Sequence, residues 1–268
     1  MTATVDILIP TYHRPAGLAV TLTSLISQTC NDFHVLISDQ TEDSDAVASC
    51  EVQAALRVLR AHGHPITVHK HIPRRGIAEH RQFLLEQSTA PYSLFLDDDL
   101  ILESDVVERM LIAIQEEGCG FVGSAVIGLS YISDIRPDEQ SIEFWDGPVQ
   151  PEIVLSGSAQ WDRWRLHNAA NLYHVQQQLG ITSNKQRKYK VAWIGGCVMY
   201  DTAKLRNVGG YSFWRQLPQE HCGEDVLVQL RMMKRYGGCG LIPSGVYHQE
   251  LPTTIANRAV AADRSLSC

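Results

Sequence analysis

The stretch Tyr92-Ser93-Leu94-Phe95-Leu96-Asp97-Asp98-Asp99 is a short apolar run that ends in three adjacent carboxylates. A run of this length, rich in Leu, Phe and Tyr and preceded by Pro91, predicts a buried strand rather than a helix. The acids then lie at the carboxyl end of the strand, which is the edge where open α/β sheets bind ligands. A continuing strand would direct Asp97 and Asp99 to one side and Asp98 to the other.

The three adjacent carboxylates repel one another and need a compensating charge. A divalent metal that carries phosphate is one interpretation, because such metals prefer oxygen ligands. The alternative is that the acids form a solvated turn or cap the helix that follows, since aspartate favours both positions. The stretch by itself leaves both interpretations open.

The composition bounds the class of protein. The 268 residues fit one large domain or two fused halves. A net charge of -7, with basic residues scattered, argues against a nucleic-acid partner. The odd number of cysteines, seven without a C-x-x-C pair, indicates reduced thiols. With neither a signal peptide pattern nor a transmembrane run, we expect a cytoplasmic protein and leave peripheral attachment to the inner face of a membrane open. The oligomeric state is also left open.

Strand-like runs alternate with helical patterns on both sides of the acidic stretch. Strands are predicted at residues 5–9, 34–38, 66–69 and 121–126. One intervening helical face is predicted at Val47, Ala54, Ala55, Val58 and Leu59. The alternation predicts a Rossmann-like α/β sheet with right-handed crossovers.

The loop after the first strand excludes several nucleotide-binding classes. Residues 10–14 lack the G-x-G-x-x-G pattern of nicotinamide and flavin enzymes, and no P-loop is present. A sugar nucleotidyltransferase, which would bind a triphosphate through a basic Gly-rich loop, is an alternative that the single glycine of residues 11–17 disfavours. A non-catalytic carbohydrate-binding protein is the other alternative. Its aromatic contacts would be Trp145, Trp161 and Trp164, which otherwise are ordinary packing residues.

Two later segments carry further candidate residues. Residues 191–200 (VAWIGGCVMY) predict a strand whose glycine pair marks a bulge or close approach by a ligand. Trp193, Gly195 and Gly196 are therefore candidates for a donor or acceptor pocket. Gly223-Glu224-Asp225 opens a helix, where the two acids either complement the helix dipole or act in catalysis.

Five of these features together resemble family 2 glycosyltransferases, which are inverting enzymes with the GT-A fold. They are Ile9-Pro10-Thr11-Tyr12, Asp39, Arg81 before the LFLDDD strand, the WIGG segment and the late Gly-Glu-Asp. The resemblance covers residues 5–126 and 191–248. It implies a GT-A-like, Rossmann-type mixed sheet flanked by helices, with an acceptor-side insertion between these ranges. Residues 1–126 would form a nucleotide-sugar-binding half and residues 127–268 an acceptor-binding and catalytic-base half, fused into one globular unit.

The resemblance also implies ligands and roles. The donor would be a nucleotide sugar, most often UDP-linked, and the acceptor a hydroxyl of a carbohydrate, a lipid-linked or another molecule. The cofactor would be Mn²⁺ or Mg²⁺, held by Asp99 and in some members by a histidine matching His248. Asp225, or less strongly Glu224, would be the catalytic base. The nucleotide-binding residues would be Pro10, Thr11, Tyr12, Arg14, Asp39, Arg81, Asp97 and Asp98. The chain departs from the family at Gln82, where an asparagine is usual.

Overall fold

The computed structural model describes residues 3–255 and 257–267. Within them the chain forms strands and helices in alternation. The strands are β1 (Val5–Thr11), β2 (Phe33–Asp39), β3 (Ile66–Lys70), β4 (Tyr92–Leu96), β5 (Leu100–Leu102), β6 (Phe121–Gly123), β7 (Arg187–Tyr189), β8 (Cys197–Asp201), β9 (Gly238–Ile242) and β10 (Val246–His248). The α-helices are α1 (Pro15–Ile26), α2 (Cys50–Ala61), α3 (Ile77–Gln87), α4 (Val106–Glu117), α5 (Asn171–Leu179), α6 (Thr202–Asn207), α7 (Glu224–Tyr236) and α8 (Ala262–Ser265).

The main sheet is mixed and has the strand order β3-β2-β1-β4-β8-β6-β9-β7. Strands β1 to β4 are parallel, while β8 runs antiparallel to both β4 and β6. Strands β5 and β10 form a separate antiparallel pair. The predicted mixed α/β architecture is therefore confirmed, and the β4–β8 pairing joins the two predicted halves in one sheet.

Side-chain alternation along the central strands fills a core on each face of the sheet. Leu94 and Leu96 of β4 belong to one buried cluster, and Phe95 between them belongs to the other. Likewise Ile7 and Ile9 of β1 point to the first cluster and Leu8 to the second. Because helices cover both faces, these strands are largely apolar on both sides, as is typical of buried parallel sheets, and their polar residues Asp6 and Ser93 are buried too. The apolar run before the acids thus fixes the sheet edge from which the acids project.

Three local expectations differ from the structure. Strand β4 ends at Leu96, so the acids follow the strand in a turn and do not alternate as strand residues. Strand β8 begins only at Cys197, because Gly196 adopts a φ of +80° that breaks extended structure. The second helix begins after Ser49, whose hydroxyl caps it, which shifts the helical phase. Its buried face is Val52, Ala55, Leu56 and Leu59, whereas Val58 is exposed.

The segment between residues 128 and 190 is ordered by long-range contacts rather than by regular elements. Its strand β7 pairs with β9 at the end of the sheet. The buried Arg163 guanidinium pairs with Glu143 at 3.1 Å and Glu152 at 2.7 Å, which fixes the short helical turn Trp161–His167. None of the helices in the described residues has the length and apolar character that crossing a bilayer requires.

Candidate active site

A cavity of about 880 Å³ opens at the carboxyl ends of β1 and β4. Its position is the one at which α/β sheets bind ligands, and its size is in the range of small-molecule sites. It brings together most of the residues singled out in the sequence. They are Pro10, Thr11, Tyr12, Arg14, Arg81, Asp97, Asp98, Asp99, Trp193, Glu224, Asp225 and His248.

Arg81 is the cation that joins the two acidic segments. Helix α3 presents its guanidinium, which donates to Asp97 Oδ1 at 3.0 Å and to Glu224 Oε1 at 3.1 Å. The Arg81 side chain is 7% exposed and the Glu224 side chain 6%, so this pair is almost removed from water. The guanidinium carbon also lies 5.6 Å from the ring centroid of Phe95. Asp97 and Glu224 therefore share the single positive charge of one buried arginine.

Asp98 and Asp99 share a second arginine. Arg14 Nη1 lies 3.2 Å from Asp98 Oδ1 and 2.5 Å from Asp99 Oδ2, and Nη2 donates to the carbonyl oxygen of Pro252. The Thr11 hydroxyl donates to Asp98 Oδ2 at 2.7 Å. Burial raises the pKa of Asp98 to about 6 despite these partners. Because the strand has ended, the two neighbouring carboxylates face the same cation.

The arrangement of Asp98 and Asp99 around Arg14 shows how well these residues fit a divalent metal. The guanidinium nitrogen of Arg14 is a stand-in cation between oxygens of Asp98 and Asp99, and hard divalent metals take oxygen ligands of this kind. Within the described ranges no group of three or more His, Cys, Asp or Glu residues is arranged to hold a metal. The two carboxylates therefore fit a cation whose remaining ligands come from phosphate and water, provided that Arg14 moves away.

His248 is arranged differently from the predicted metal ligand. Its Nε2 lies 3.5 Å from Asp99 Oδ2, but its Nδ1 accepts a hydrogen bond from the backbone N–H of Glu250 at 2.6 Å. An Nδ1 that accepts puts the proton of the neutral ring on Nε2, because one ring nitrogen donates when the other accepts. In this arrangement Nε2 carries the ring proton and has no lone pair to offer to a metal. Coordination through Nε2 would require the Glu250 N–H to turn away.

Asp225 stands in the first turn of α7 and is left without a cation of its own. Its Oδ1 accepts the backbone N–H of Val226 at 2.8 Å, and a β-carbon built on Gly195 would lie 3.6 Å from its Oδ2. Burial, together with the neighbouring Glu224 carboxylate, raises the pKa of Asp225 to about 7. No Lys, Arg or His within the described chain pairs with it, whereas Glu224 is held by Arg81.

Gly223 and His221 hold the start of α7 in place. Gly223 has a φ of +73°, and a β-carbon there would collide with the Asp263 carboxylate. His221 accepts the backbone N–H of Ala78 at 3.1 Å through Nε2 and contacts the Pro218 carbonyl oxygen at 2.7 Å through Nδ1. His221 thus connects the first turn of α3 to the segment that precedes α7. Single histidines carry no sequence signal for such a long-range cap.

The predicted nucleobase contact of Asp39 stays a prediction, and the Asp39 carboxylate already has two partners within the fold. One carboxylate oxygen accepts from Lys70 Nζ at 2.9 Å and the other from the backbone N–H of Thr41 at 2.8 Å. Asp39 borders a separate cavity of about 330 Å³ and is absent from the lining of the larger one. Lys70, which binds this carboxylate, lies on the neighbouring β3.

Several further residues complete the cavity. The predicted pocket residues Gly195 and Gly196 are not among its lining residues, but the Gly196 carbonyl oxygen accepts from the Asp97 N–H at 2.8 Å. Trp161 and Trp164 line it beside Trp193, whereas Trp145 is partly buried and packs against the first core cluster. One wall comes from the C-terminal segment, which has neither periodicity nor a motif. Its lining residues are Leu251, Thr253, Thr254, Ile255, Arg258, Ala261, Asp263 and Arg264.

Sequence comparison identifies relatives of this chain. The sequence profile of glycosyl transferase family 2 matches residues 6–178, and so includes most of the segment that we expected to lie outside the resemblance. An uncharacterized glycosyltransferase of Haemophilus influenzae is 28% identical over 149 residues, which are 52% of this chain and 46% of that relative. The alignment thus spans about half the length of the relative.

Solved structures share the fold at low identity. S. aureus TarS 1–349 superposes with a TM-score of 0.59 at 16% identity, covering 91% of this chain and 60% of TarS 1–349. The same protein in complex with UDP-GlcNAc gives 0.56 at 15% identity, covering 94% and 60%. The mannosyltransferase PcManGT from Pyrobaculum calidifontis, in complex with GDP-Man and Mn²⁺, gives 0.51 at 17% identity, covering 90% and 57%. These matches confirm the expected GT-A-like fold.

Proposed function

The chain belongs to glycosyl transferase family 2, and on that premise we propose that its cleft transfers a sugar from a nucleotide-sugar donor to an acceptor hydroxyl. One observation carries the proposal: the acids after β4 and the free carboxylate of Asp225 face the same cavity. TarS and PcManGT have been solved with UDP-GlcNAc and GDP-Man, and both ligands are nucleotide sugars. A UDP-linked donor is our first choice for this chain.

The donor side of the cleft is formed by β1, α3 and the turn after β4. We assign Pro10, Thr11 and Tyr12 to the nucleotide, as these residues line the cavity next to the acidic turn. The guanidinium groups of Arg14 and Arg81 supply positive charge for a diphosphate. Asp39 is left out of this assignment because Lys70 and Thr41 already bind its carboxylate.

Asp225 acts as the general base in the proposed reaction. Its carboxylate takes the proton of the acceptor hydroxyl while that oxygen forms a bond to the anomeric carbon. The bond from the anomeric carbon to the diphosphate breaks, and its electron pair leaves with the diphosphate. Glu224 does not take the proton because Arg81 binds its carboxylate. A base and a departing group on opposite faces of the sugar favour one displacement with inversion.

Asp98 and Asp99 would hold a divalent cation, Mn²⁺ or Mg²⁺, together with the donor's diphosphate. Such a cation would neutralise the charge that develops on the departing diphosphate. The protein places the two carboxylates close together, and Arg14 is their partner in the absence of the cation.

The pH dependence follows from the elevated pKa of Asp225. A base must be unprotonated to act, and its pKa is raised to about 7 by burial and by Glu224. We expect kcat/KM to rise about tenfold per pH unit below this pKa and to level off above it. The measurement is a pH profile from about pH 5.5 to about pH 8.5 at low donor and acceptor concentrations, a window that brackets the pKa of the base. A flat profile over this range would exclude Asp225 as the base.

Arg14 and a divalent cation compete for the same carboxylates. Arg14→Gln should therefore tighten the binding of Mn²⁺ to the nucleotide-free protein by about fivefold to tenfold, because no guanidinium must first be displaced. Asp99→Asn should weaken Mn²⁺ binding in the same assay, which measures the concentration of free Mn²⁺ by electron paramagnetic resonance. If Arg14→Gln left the Mn²⁺ affinity unchanged, the competition would be absent.

Calorimetric titration tests the proposed donor class. The ligands are UDP, GDP, dTDP and the corresponding triphosphates, each with and without Mn²⁺. A glycosyltransferase should prefer one diphosphate and bind it more tightly with the metal. Preference for a triphosphate would instead support a nucleotidyltransferase, and the absence of binding to all of them would refute the proposed function.

A further inference from the structure

Three tryptophans that the proposed reaction does not use line the same cavity. The ring centroids of Trp164 and Trp193 are 6.1 Å apart with the planes inclined by 16°, and those of Trp161 and Trp193 are 4.7 Å apart at 50°. All three are partly buried against the second core cluster. They come from two distant segments, so their meeting at the cavity wall is a product of tertiary structure. We call them the indole cluster.

Hydrogen bonds join the backbone next to Trp193 to the helix that carries Asp225. Gln229 is fully buried, and its side-chain amide donates to the Ile194 carbonyl oxygen at 2.6 Å and accepts the Ile194 N–H at 2.8 Å. Gln229 follows Asp225 by four residues on α7, which puts both on one face of the helix. The residue next to Trp193 is therefore attached to the helix that carries the proposed base. Gln229 is a positioning residue for this part of the cavity.

The other two indoles are fixed by the insertion. Trp161 and Trp164 are three residues apart in a 3₁₀-helical turn, a spacing that puts both side chains on one side. Arg163 between them pairs with Glu143 and Glu152, and its side chain is 8% exposed. These ion pairs fix the turn, and with it the position of Trp161 and Trp164 against Trp193.

Residues 193–196 connect the indole cluster with Asp225 and with the acidic turn. Gly196 contacts Asp97 of the acidic turn through its carbonyl oxygen, and Gly195 lies against Asp225. Trp193 lies two residues before Gly195, and Ile194 between them is bound by Gln229 of α7. A molecule on the indole cluster would therefore lie in the same cavity as Asp225, where the hydroxyl of an acceptor must reach the base.

We propose that Trp161, Trp164 and Trp193 form the acceptor subsite and that the acceptor presents a hexopyranose ring. A pyranose has an apolar CH face that packs on indole and a rim of hydroxyls that can reach a carboxylate. An alkyl chain would use the indoles but present no hydroxyl beside them, and a peptide hydroxyl would not need an aromatic surface of three rings. This assignment rests on the proposed transferase function and adds the class of its acceptor.

The test measures binding of methyl pyranosides of glucose, galactose, mannose and N-acetylglucosamine to protein saturated with its nucleoside diphosphate, by saturation-transfer NMR and calorimetry. We expect Trp193→Leu and Trp161→Leu each to lower the affinity for the pyranoside by about tenfold. Trp193→Phe, which keeps an aromatic face, should retain most of the affinity. Trp214→Leu removes a partly buried indole outside the cavity and is the matched control. All four variants should bind the nucleoside diphosphate like the wild type.

Several results would overturn the assignment. Wild-type affinity for the pyranosides in both leucine variants would remove the indoles from the subsite. A loss confined to nucleotide-sugar affinity, with pyranoside binding intact, would assign the ring to the donor sugar. Failure of the wild type to bind any of the pyranosides, although the nucleoside diphosphate binds, would refute the hexopyranose class. Failure of the wild type to bind any nucleoside diphosphate would instead refute the proposed transferase function, on which the acceptor assignment rests.

Discussion

Replacing Asp225 by Asn is expected to lower the rate of sugar transfer by about 10²- to 10⁴-fold, the usual contribution of a general base. An amide cannot accept the acceptor's proton, whereas its oxygen can still accept the Val226 N–H that Asp225 Oδ1 now binds. The substitution also removes a carboxylate beside Glu224, so we expect the fold to be at least as stable. Affinity for the nucleoside diphosphate should remain close to that of the wild type.

The control for Asp225→Asn replaces another acidic residue of the same region. Glu220 is exposed and lies just before the α7 segment, so Glu220→Gln should transfer sugar at the wild-type rate. Initial rates at saturating donor, together with calorimetry of the nucleoside diphosphate, measure both effects. Transfer by Asp225→Asn at the wild-type rate would show that another group takes the proton.

Replacing Arg81 by Met is expected to give the largest loss of stability. The substitution leaves Asp97 and Glu224 without the guanidinium that now donates to both at 3.0 and 3.1 Å. Removing one partner of a buried ion pair typically costs about 3–5 kcal/mol, because a charge is left uncompensated. A domain of ordinary stability, about 5–15 kcal/mol, would lose a large fraction of its free energy of unfolding. Urea denaturation at neutral pH measures the change.

The double variant Arg81→Met/Glu224→Gln separates charge from packing. The amide introduced by Glu224→Gln carries no charge to bury, so the pair of substitutions should cost less than Arg81→Met alone. The matched control is Arg136→Met, which removes an exposed arginine paired with Asp134 and Glu139. It should leave the denaturation midpoint unchanged, because exposed ion pairs contribute little. A midpoint for Arg81→Met equal to that of the control would contradict the structural role of the buried arginine.

Arg81 also acts on the proposed base. Its positive charge lowers the pKa of Asp225 against the raising effects of burial and Glu224. If Arg81→Met folds, the acid limb of its pH profile should therefore lie at higher pH than that of the wild type. This readout distinguishes an electrostatic role of Arg81 from a purely structural one.

Sequence patterns located the acids of the site because local rules control them. The apolar run that ends at Leu96 predicts a strand, and the carboxyl ends of such strands meet at one edge. The position of Glu224 and Asp225 follows from the amphipathic helix that they open, α7, whose start is marked by Gly223, whereas their catalytic role is what the family resemblance implies. In each case the signal lies close in the chain to the side chain it predicts.

The pairing of charges could not be predicted in this way, because it is set by tertiary contacts. Arg14 reaches acids 84 and 85 residues away, and Lys70 reaches Asp39 over 31 residues. Periodicity reports which side of an element is buried but not what it is buried against. For the same reason the C-terminal wall and the meeting of the indoles at the cavity were not foreseen. The shifted phase of α2 has a local cause, since the cap at Ser49 restarts the helical register.

Incubation of the wild-type protein with UDP-, GDP- and dTDP-sugars, in the presence of Mn²⁺ and the methyl pyranosides, tests the proposed function of the cleft most directly. We predict that one donor releases its nucleoside diphosphate and that its sugar appears on a pyranoside with inverted anomeric configuration. Release of no nucleoside diphosphate from any donor would contradict it, and so would pyrophosphate formation in a parallel incubation with nucleoside triphosphates and sugar 1-phosphates.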